Sequence, residues 1–259
     1  MTAREVPASE ATVLREKRHD YALVIPVINE GERIRRQLAK IAAINPAADV
    51  VIADGGSTDG SLALDVLRAG DCRAMLVKTG PGRLGAQLRM AYAWALDQGY
   101  RGVITVDGNG KDGVEAVDAF VAALEAGYDY VQGSRYITGG RAINTPLDRK
   151  IAGRLIHAPL LSLAGRRWYT DTTNGFRGYS ARYLGDVRVA PFRDVFDRYA
   201  LLFYLTMRAG QLGYRTSEIP VTRAYPAGEA TPTKVAGFAG RIDMLKELLA
   251  VACGRFNPR

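Results

Sequence analysis

Short apolar runs separated by helically spaced apolar residues fill the first half of the chain. Tyr21–Pro26 (YALVIP), Asp49–Ala53 (DVVIA), Ala74–Val77, Gly102–Val106 and Tyr130–Gly133 read as strands. Between them Ile34, Leu38 and Ile41, then Leu62, Val66 and Ala69, then Leu88, Ala91 and Ala95, then Val117, Phe120 and Leu124 recur at helical spacing. Strands alternating with helices predict βαβ units, right-handed crossovers and a mostly parallel sheet. After Gly133 the pattern changes. Lys150–Ala164 is a helical stretch with an apolar middle, Leu155–Leu163, interrupted by Pro159; Thr170–Tyr179 is polar and irregular. A helix over Asp197–Arg208, a strand within Tyr214–Arg223 and a Pro/Gly/Thr loop over Tyr225–Lys234 follow. A last helix over Val235–Ala252 carries Phe238, Ile242, Leu245 and Leu249 on one face. The expectation is a flexible polar arm over residues 1–20 and one α/β domain over 21–259, divided into halves 21–133 and 134–259.

Loops after the first, second and fourth predicted strands share one edge of such a sheet, where open α/β sheets bind ligands. Two are Asp54–Gly60 and the stretch from Asp107 to Asp112 (DGNGKD). Asp107 and Asn109, two residues apart, can turn oxygens toward one point, as a hard cation requires. Gly80–Gly85 is also glycine-rich, but no Gly-Lys-Ser/Thr follows it and it comes after the third strand. It is neither a Walker loop nor a dinucleotide fingerprint.

The net charge of +8 favours anionic partners such as phosphates. It is spread along the chain, which argues against a nucleic-acid arm. Cys72 and Cys253 have no metal-type spacing and fit a reducing, cytoplasmic setting. No apolar run is long enough for a transmembrane helix, and the first twenty residues lack the apolar centre of a secretory signal.

In their order, VIPVINE (Val24–Glu30), ADGGSTDGS (Ala53–Ser61), VDGNGKD (Val106–Asp112), GSRY (Gly133–Tyr136), DTTNGFRGY (Asp171–Tyr179), EIPVTR (Glu218–Arg223) and the Thr233-Lys234 pair resemble family 2 glycosyltransferases, above all dolichyl- and polyprenyl-phosphate sugar synthases of the mannosyl type. The resemblance spans roughly Tyr21 to Phe238. It implies a GT-A fold: a Rossmann-like, mostly parallel sheet flanked by helices in a single domain. It departs from the family where Gly55 replaces the second Asp of the Asp-Asp-Gly-Ser loop and where Asn109 replaces the second Asp of the Asp-x-Asp metal motif.

Several roles are implied by this resemblance. Pro26, Glu30 and Asp54 would hold the nucleoside of a GDP- or UDP-hexose, with Gly82, Arg83 and Gly85 lining the same pocket. Asp107, with Asn109, would bind Mg²⁺ or Mn²⁺ on the pyrophosphate. With one carboxylate gone, metal binding is expected to weaken, and Lys111 is a candidate catalytic cation for the leaving diphosphate. Arg135, Arg149, Arg223 and Lys234 would surround the acceptor phosphate or close over the donor, Arg177 would also bind phosphate, and Arg135 and Asp107 would count among the catalytic residues. Asp171 is the candidate general base for a hydroxyl acceptor. The implied reaction is inverting hexosyl transfer to a polyprenyl phosphate. A soluble enzyme acting on a small-molecule or glycan hydroxyl, and a non-catalytic sugar-nucleotide-binding protein, are the alternatives. The basic residues flanking Leu155–Leu163 suit either a peripheral helix on the cytoplasmic membrane face or a buried core helix.

Overall fold

A computed structural model describes residues 4–226 and 237–258. In chain order the elements are β1 (Ser9–Val13), β2 (Tyr21–Val27), α1 (Glu32–Ile44), β3 (Asp49–Asp54), α2 (Leu64–Ala69), β4 (Cys72–Lys78), α3 (Leu84–Asp97), β5 (Gly102–Thr105), α4 (Val117–Glu125), β6 (Tyr130–Ser134) and β7 (Arg141–Ile143). They continue with α5 (Leu147–Ala152), α6 (Ala158–Gly165), β8 (Arg177–Ser180), α7 (Ala181–Gly185), α8 (Ala200–Gln211), β9 (Thr216–Pro220), β10 (Thr222–Ala224) and α9 (Gly237–Ala252). The main sheet has the order β1-β4-β3-β2-β5-β8-β6-β9. β4, β3, β2 and β5 run parallel, as do β6 and β9; β8 lies antiparallel between β5 and β6. A second, parallel pair joins β10 to β7.

The central strands are legible as apolar runs because both sheet faces are covered. One face packs Leu23, Ile25, Ile52 and Ile104 against Ile34, Leu38, Phe120 and Val121. The other packs Val24, Val51 and Val103 against Leu88, Tyr92, Tyr204 and Leu205. The expected strand over Tyr214–Arg223 is two strands, separated by Val221, whose N–H donates to Ser134 O at 3.0 Å.

The N-terminal residues differ from the expected flexible arm. Ser9–Val13 forms an antiparallel edge strand on β4, and Arg4 pairs with Asp97 at 2.6 Å. All five residues of that strand are exposed, so its polar sequence gives no apolar signal; backbone pairing holds it.

The helical stretch around Leu155–Leu163 is continuous from α5 to α6 through a π turn at Gly153–His157. Pro159 has no N–H to return to the carbonyl of Leu155, which widens the turn before it. The helix buries His157, Ala158, Leu161 and Ser162, with Gly165 against the Met207 backbone. Its opposite side stays in solvent: Leu147 is 69% exposed, Leu155 72% and Leu163 75%, with Trp168 just beyond at 65%. α9 packs on α6 and α8 through buried Leu248 and Val251, whereas Ile242, Leu245 and Leu249, which share one face, stay partly exposed.

Burial holds the His157 imidazole down, to about 4. Its folded value lies below its unfolded value of about 6.5, so the unfolded chain takes up the proton first. Stability is expected to fall as pH drops from about 6.5 toward 4, by up to about 1.4 kcal/mol per unit from this group. Replacing His157 by leucine should flatten that part of a melting-temperature profile; an unchanged slope would remove His157 as the cause.

Candidate functional site

The loops after β2, β3 and β5 meet at the carboxyl edge of the parallel strands. Asn29 N–H donates to Ser57 Oγ at 3.0 Å, Thr58 N–H to Asn29 Oδ1 at 2.8 Å, and Gly31 N–H to Asp59 Oδ2 at 2.9 Å. Gln37 of α1 donates to the Asp107 carbonyl at 3.0 Å and accepts from Gly110 N–H at 2.8 Å, which pins the loop after β5. Gln87 of α3 donates to Val27 O at 2.9 Å and also to Ala53 O, tying the ends of β2 and β3 together. Gln37 and Gln87 had no signal in the sequence, since a buried glutamine on a helix is recognised only by what it reaches.

Pro26, Glu30 and Asp54 come together at this edge. Asp54 is nearly buried, and its carboxylate accepts from Ser57 N–H at 2.9 Å and Ser57 Oγ at 2.6 Å. Glu30 pairs with Arg33 at 3.1 Å. The Gly80–Gly85 loop has a packing role beside any ligand role. A Cβ on Gly85 would lie 2.5 Å from Phe196 O, and Gly82, at φ +105°, would press into Asp197. Asp197 anchors the loop by accepting from Arg83 N–H at 3.0 Å. A Cβ at these two glycines would meet the Ala86 side chain, the Asp197 carboxylate and the backbone of Phe196 and Arg198; Arg83 itself is exposed.

Asp107 stands just past β5 with its side chain 32% exposed. Gly175 lies against it: a Cβ there would be 2.5 Å from Asp107 Oδ1, so the Asp171–Tyr179 stretch can close on this carboxylate only through a glycine. Asp107 Oδ2 accepts from Arg223 Nη2 at 3.0 Å and from Asn109 Nδ2 at 3.3 Å. Asn109 Oδ1 accepts from Lys111 N–H at 3.2 Å. Asn109 thus turns its amide N–H to Asp107 and its oxygen to the Lys111 N–H. Arg223 also donates to Asp112 Oδ2 at 2.5 Å. Burial works against the Arg223 charge, but Asp112 and Asp107 outweigh it and raise its pKa.

Lys111, Arg149 and Arg223 converge on Tyr225, lying 5.0, 5.8 and 5.8 Å from its ring centroid. Burial works to raise the Tyr225 phenol, yet Arg223 and Arg149 hold it below its ordinary value. Burial lowers the Lys111 ammonium, and Arg223 adds to that. Asp112 and Tyr225 were missed as site residues. Lys234 lies outside the described residues.

Three assigned residues are engaged elsewhere. Arg135 grips Asp171 with two bonds, Nε to Oδ2 at 2.7 Å and Nη2 to Oδ1 at 2.9 Å, and adds Thr173 Oγ1 at 2.7 Å. Both partners are buried, so Arg135 is not placed as a phosphate ligand. Burial works to raise the Asp171 carboxyl, but Arg135 outweighs it and holds it below the usual carboxylate value. A buried, ion-paired carboxylate is a poor proton acceptor, so Asp171 does not fit the role of general base. Arg177 is deep in the core, donating to the carbonyls of Asn174, Leu202 and Thr172 at 3.0, 2.6 and 2.8 Å, and cannot reach a ligand.

The sequence profile of glycosyl transferase family 2 matches residues 22–188. The chain belongs to that family. This glycosyltransferase is 28% identical over 227 residues to a polyprenol monophosphomannose synthase of Mycolicibacterium smegmatis, covering 86% of this chain and 84% of that one. It is 29% identical over 204 residues to an undecaprenyl-phosphate mannosyltransferase of Micrococcus luteus, covering 77% and 81%. In structure it matches the glucosyl-3-phosphoglycerate synthase of Mycobacterium tuberculosis in complex with Mn²⁺, uridine diphosphate and phosphoglyceric acid, at a TM-score of 0.60 and 18% identity over 92% of this chain and 79% of that one. The glycosyltransferase therefore has the GT-A fold.

Proposed function

We propose that this enzyme transfers a hexose from a GDP- or UDP-sugar to a polyprenyl phosphate, with inversion, at a membrane surface. The observation that carries the reading is the convergence of Lys111, Arg149 and Arg223 on Tyr225 beside Asp107, at the end of the helix that exposes Leu147, Leu155 and Leu163. Cations for two phosphate groups and an apolar surface for a lipid tail thus lie side by side. The polyprenyl-phosphate names of the relatives support the same acceptor.

The loops holding Pro26, Glu30 and Asp54 would take the nucleoside. The Asp107 carboxylate suits a divalent ion such as Mg²⁺ or Mn²⁺, which accepts one or two carboxylates when substrate phosphates and water complete its shell. When bound, the ion would supply positive charge to the pyrophosphate. Lys111 and Arg149 would stabilise charge on the leaving diphosphate and the attacking phosphate. An acceptor phosphate is already ionised and needs no general base, which fits the engagement of Asp171 by Arg135.

Two measurements test this. Labelled hexose should pass from a GDP- or UDP-sugar to polyprenyl phosphate in vesicles. The protein should also float with anionic vesicles at low salt and release as salt rises, because Arg149, Lys150, Arg154, Arg166 and Arg167 flank the exposed stripe. Leu155→Glu with Leu163→Glu should abolish flotation without unfolding, since both side chains are in solvent. Failure to float, together with transfer to a soluble acceptor, would replace the lipid reading with a soluble one.

A further inference from the structure

Arg223 lies between two carboxylates, and the chain holds it there. Asp112 and Arg223 form an isolated antiparallel bridge. On either side Gly113 N–H donates to Thr222 O at 2.8 Å and Ala224 N–H to Lys111 O at 2.9 Å. The loop after β5 is thus clamped to β10. From that clamp the guanidinium sends Nη1 to Asp112 at 2.5 Å and Nη2 to Asp107 at 3.0 Å. Asp112 has no side-chain exposure and Arg223 has little, whereas Asp107 faces the cleft. Among the described residues, no cluster of three or more acidic, histidine or cysteine side chains is placed to hold a metal ion.

We propose that Arg223 is the resident counter-cation of Asp107, and that it keeps the affinity of the site for divalent metal low when no nucleotide is bound. The inference rests on the reading of Asp107 as the metal-binding carboxylate. A fixed guanidinium on Oδ2 satisfies the carboxylate with a charge-assisted bond and repels an incoming dication. Asn109 adds an N–H on the same oxygen instead of a second negative charge. The ion is then held only when a diphosphate brings further negative oxygens into the cleft, so metal and donor arrive together. Asp112 is a positioning residue: it touches no substrate in this scheme and acts by aiming Arg223.

The test uses Mn²⁺ alone, followed by the electron paramagnetic resonance signal of the free ion, with no nucleotide present. Arg223 and Asp112 are neutralised together, as Arg223→Met with Asp112→Asn or as Arg223→Gln with Asp112→Asn, so that no buried charge is left unpaired. A melting curve confirms that at least one pair folds. The wild type should bind Mn²⁺ weakly, and the neutral pair at least tenfold more tightly. Adding Asp107→Asn should remove the gain. Equal Mn²⁺ affinity in the wild type and a folded neutral pair, or a gain that survives Asp107→Asn, would overturn the proposal. Failure of the donor reading would show separately, as no rise in melting temperature with UDP- or GDP-sugars.

Discussion

Asp107→Asn is expected to lower hexosyl transfer by at least about 10²–10³-fold, the scale seen when one group that stabilises developing charge is removed. The substitution keeps the side chain's size, and its remaining oxygen can still accept from Arg223. Gly175, which packs against this side chain without a Cβ, meets no added atom from the asparagine. The fold should therefore persist, with a melting temperature close to that of the wild type. Loss of activity then reports on charge at one atom pair at the cleft, where Asp107 Oδ2 meets Arg223. Near wild-type turnover in the asparagine variant would remove Asp107 from the chemistry.

Asp171→Ala is expected to behave in the opposite way, with a large effect on stability. Asp171 and Arg135 are both buried, and the pair is bidentate. Removing one partner strands the other charge, which costs about 3–5 kcal/mol. Denaturant unfolding should show that loss. The acid side follows in sign. The folded carboxyl is held below its unfolded value, so its contribution is complete above about pH 3.9 and is lost as pH falls through the folded value. If Asp171→Ala instead kept full stability and lost only kcat, the general-base role would return.

The difference between these two aspartates explains what could and could not be read from the chain. Asp107 was legible because it ends the apolar run Gly102–Val106, and the end of such a run marks the carboxyl edge of a parallel strand. Asp171 sits in an equally family-like stretch, but its partner is Arg135, 36 residues away, and burial decides what the pair does. Arg177 shows the same limit: its place in DTTNGFRGY suggested phosphate, whereas its bonds go to core carbonyls. The central strands and α1, α3 and α4 were recoverable because hydrophobic burial writes itself into periodicity. β1 was not, since the exposed SEATV segment is held by its backbone. The break between β9 and β10 falls inside EIPVTR directly after Pro220, a proline that limits strand pairing and that the expected single strand ran through.

The π turn at Gly153–His157 has a geometric consequence for the exposed side of its helix. Leu147, Ile151, Leu155 and Leu163 are spaced by multiples of four residues. In an unbroken α-helix that spacing drifts by about 40° per step, so Leu163 would sit about 160° around the axis from Leu147. A single wide turn absorbs roughly one extra residue, or about 100° of rotation. The net drift shrinks to about 60°, and the leucines remain on one flank. The wide turn thus works as a phase corrector, equivalent to a one-residue insertion. Removing one residue from it would restore a regular α-turn and leave that phase unchanged, whereas straightening it without a deletion would rotate α6 by about 100° relative to α5, so that Leu163 and the buried Leu161 could not both keep their present environments.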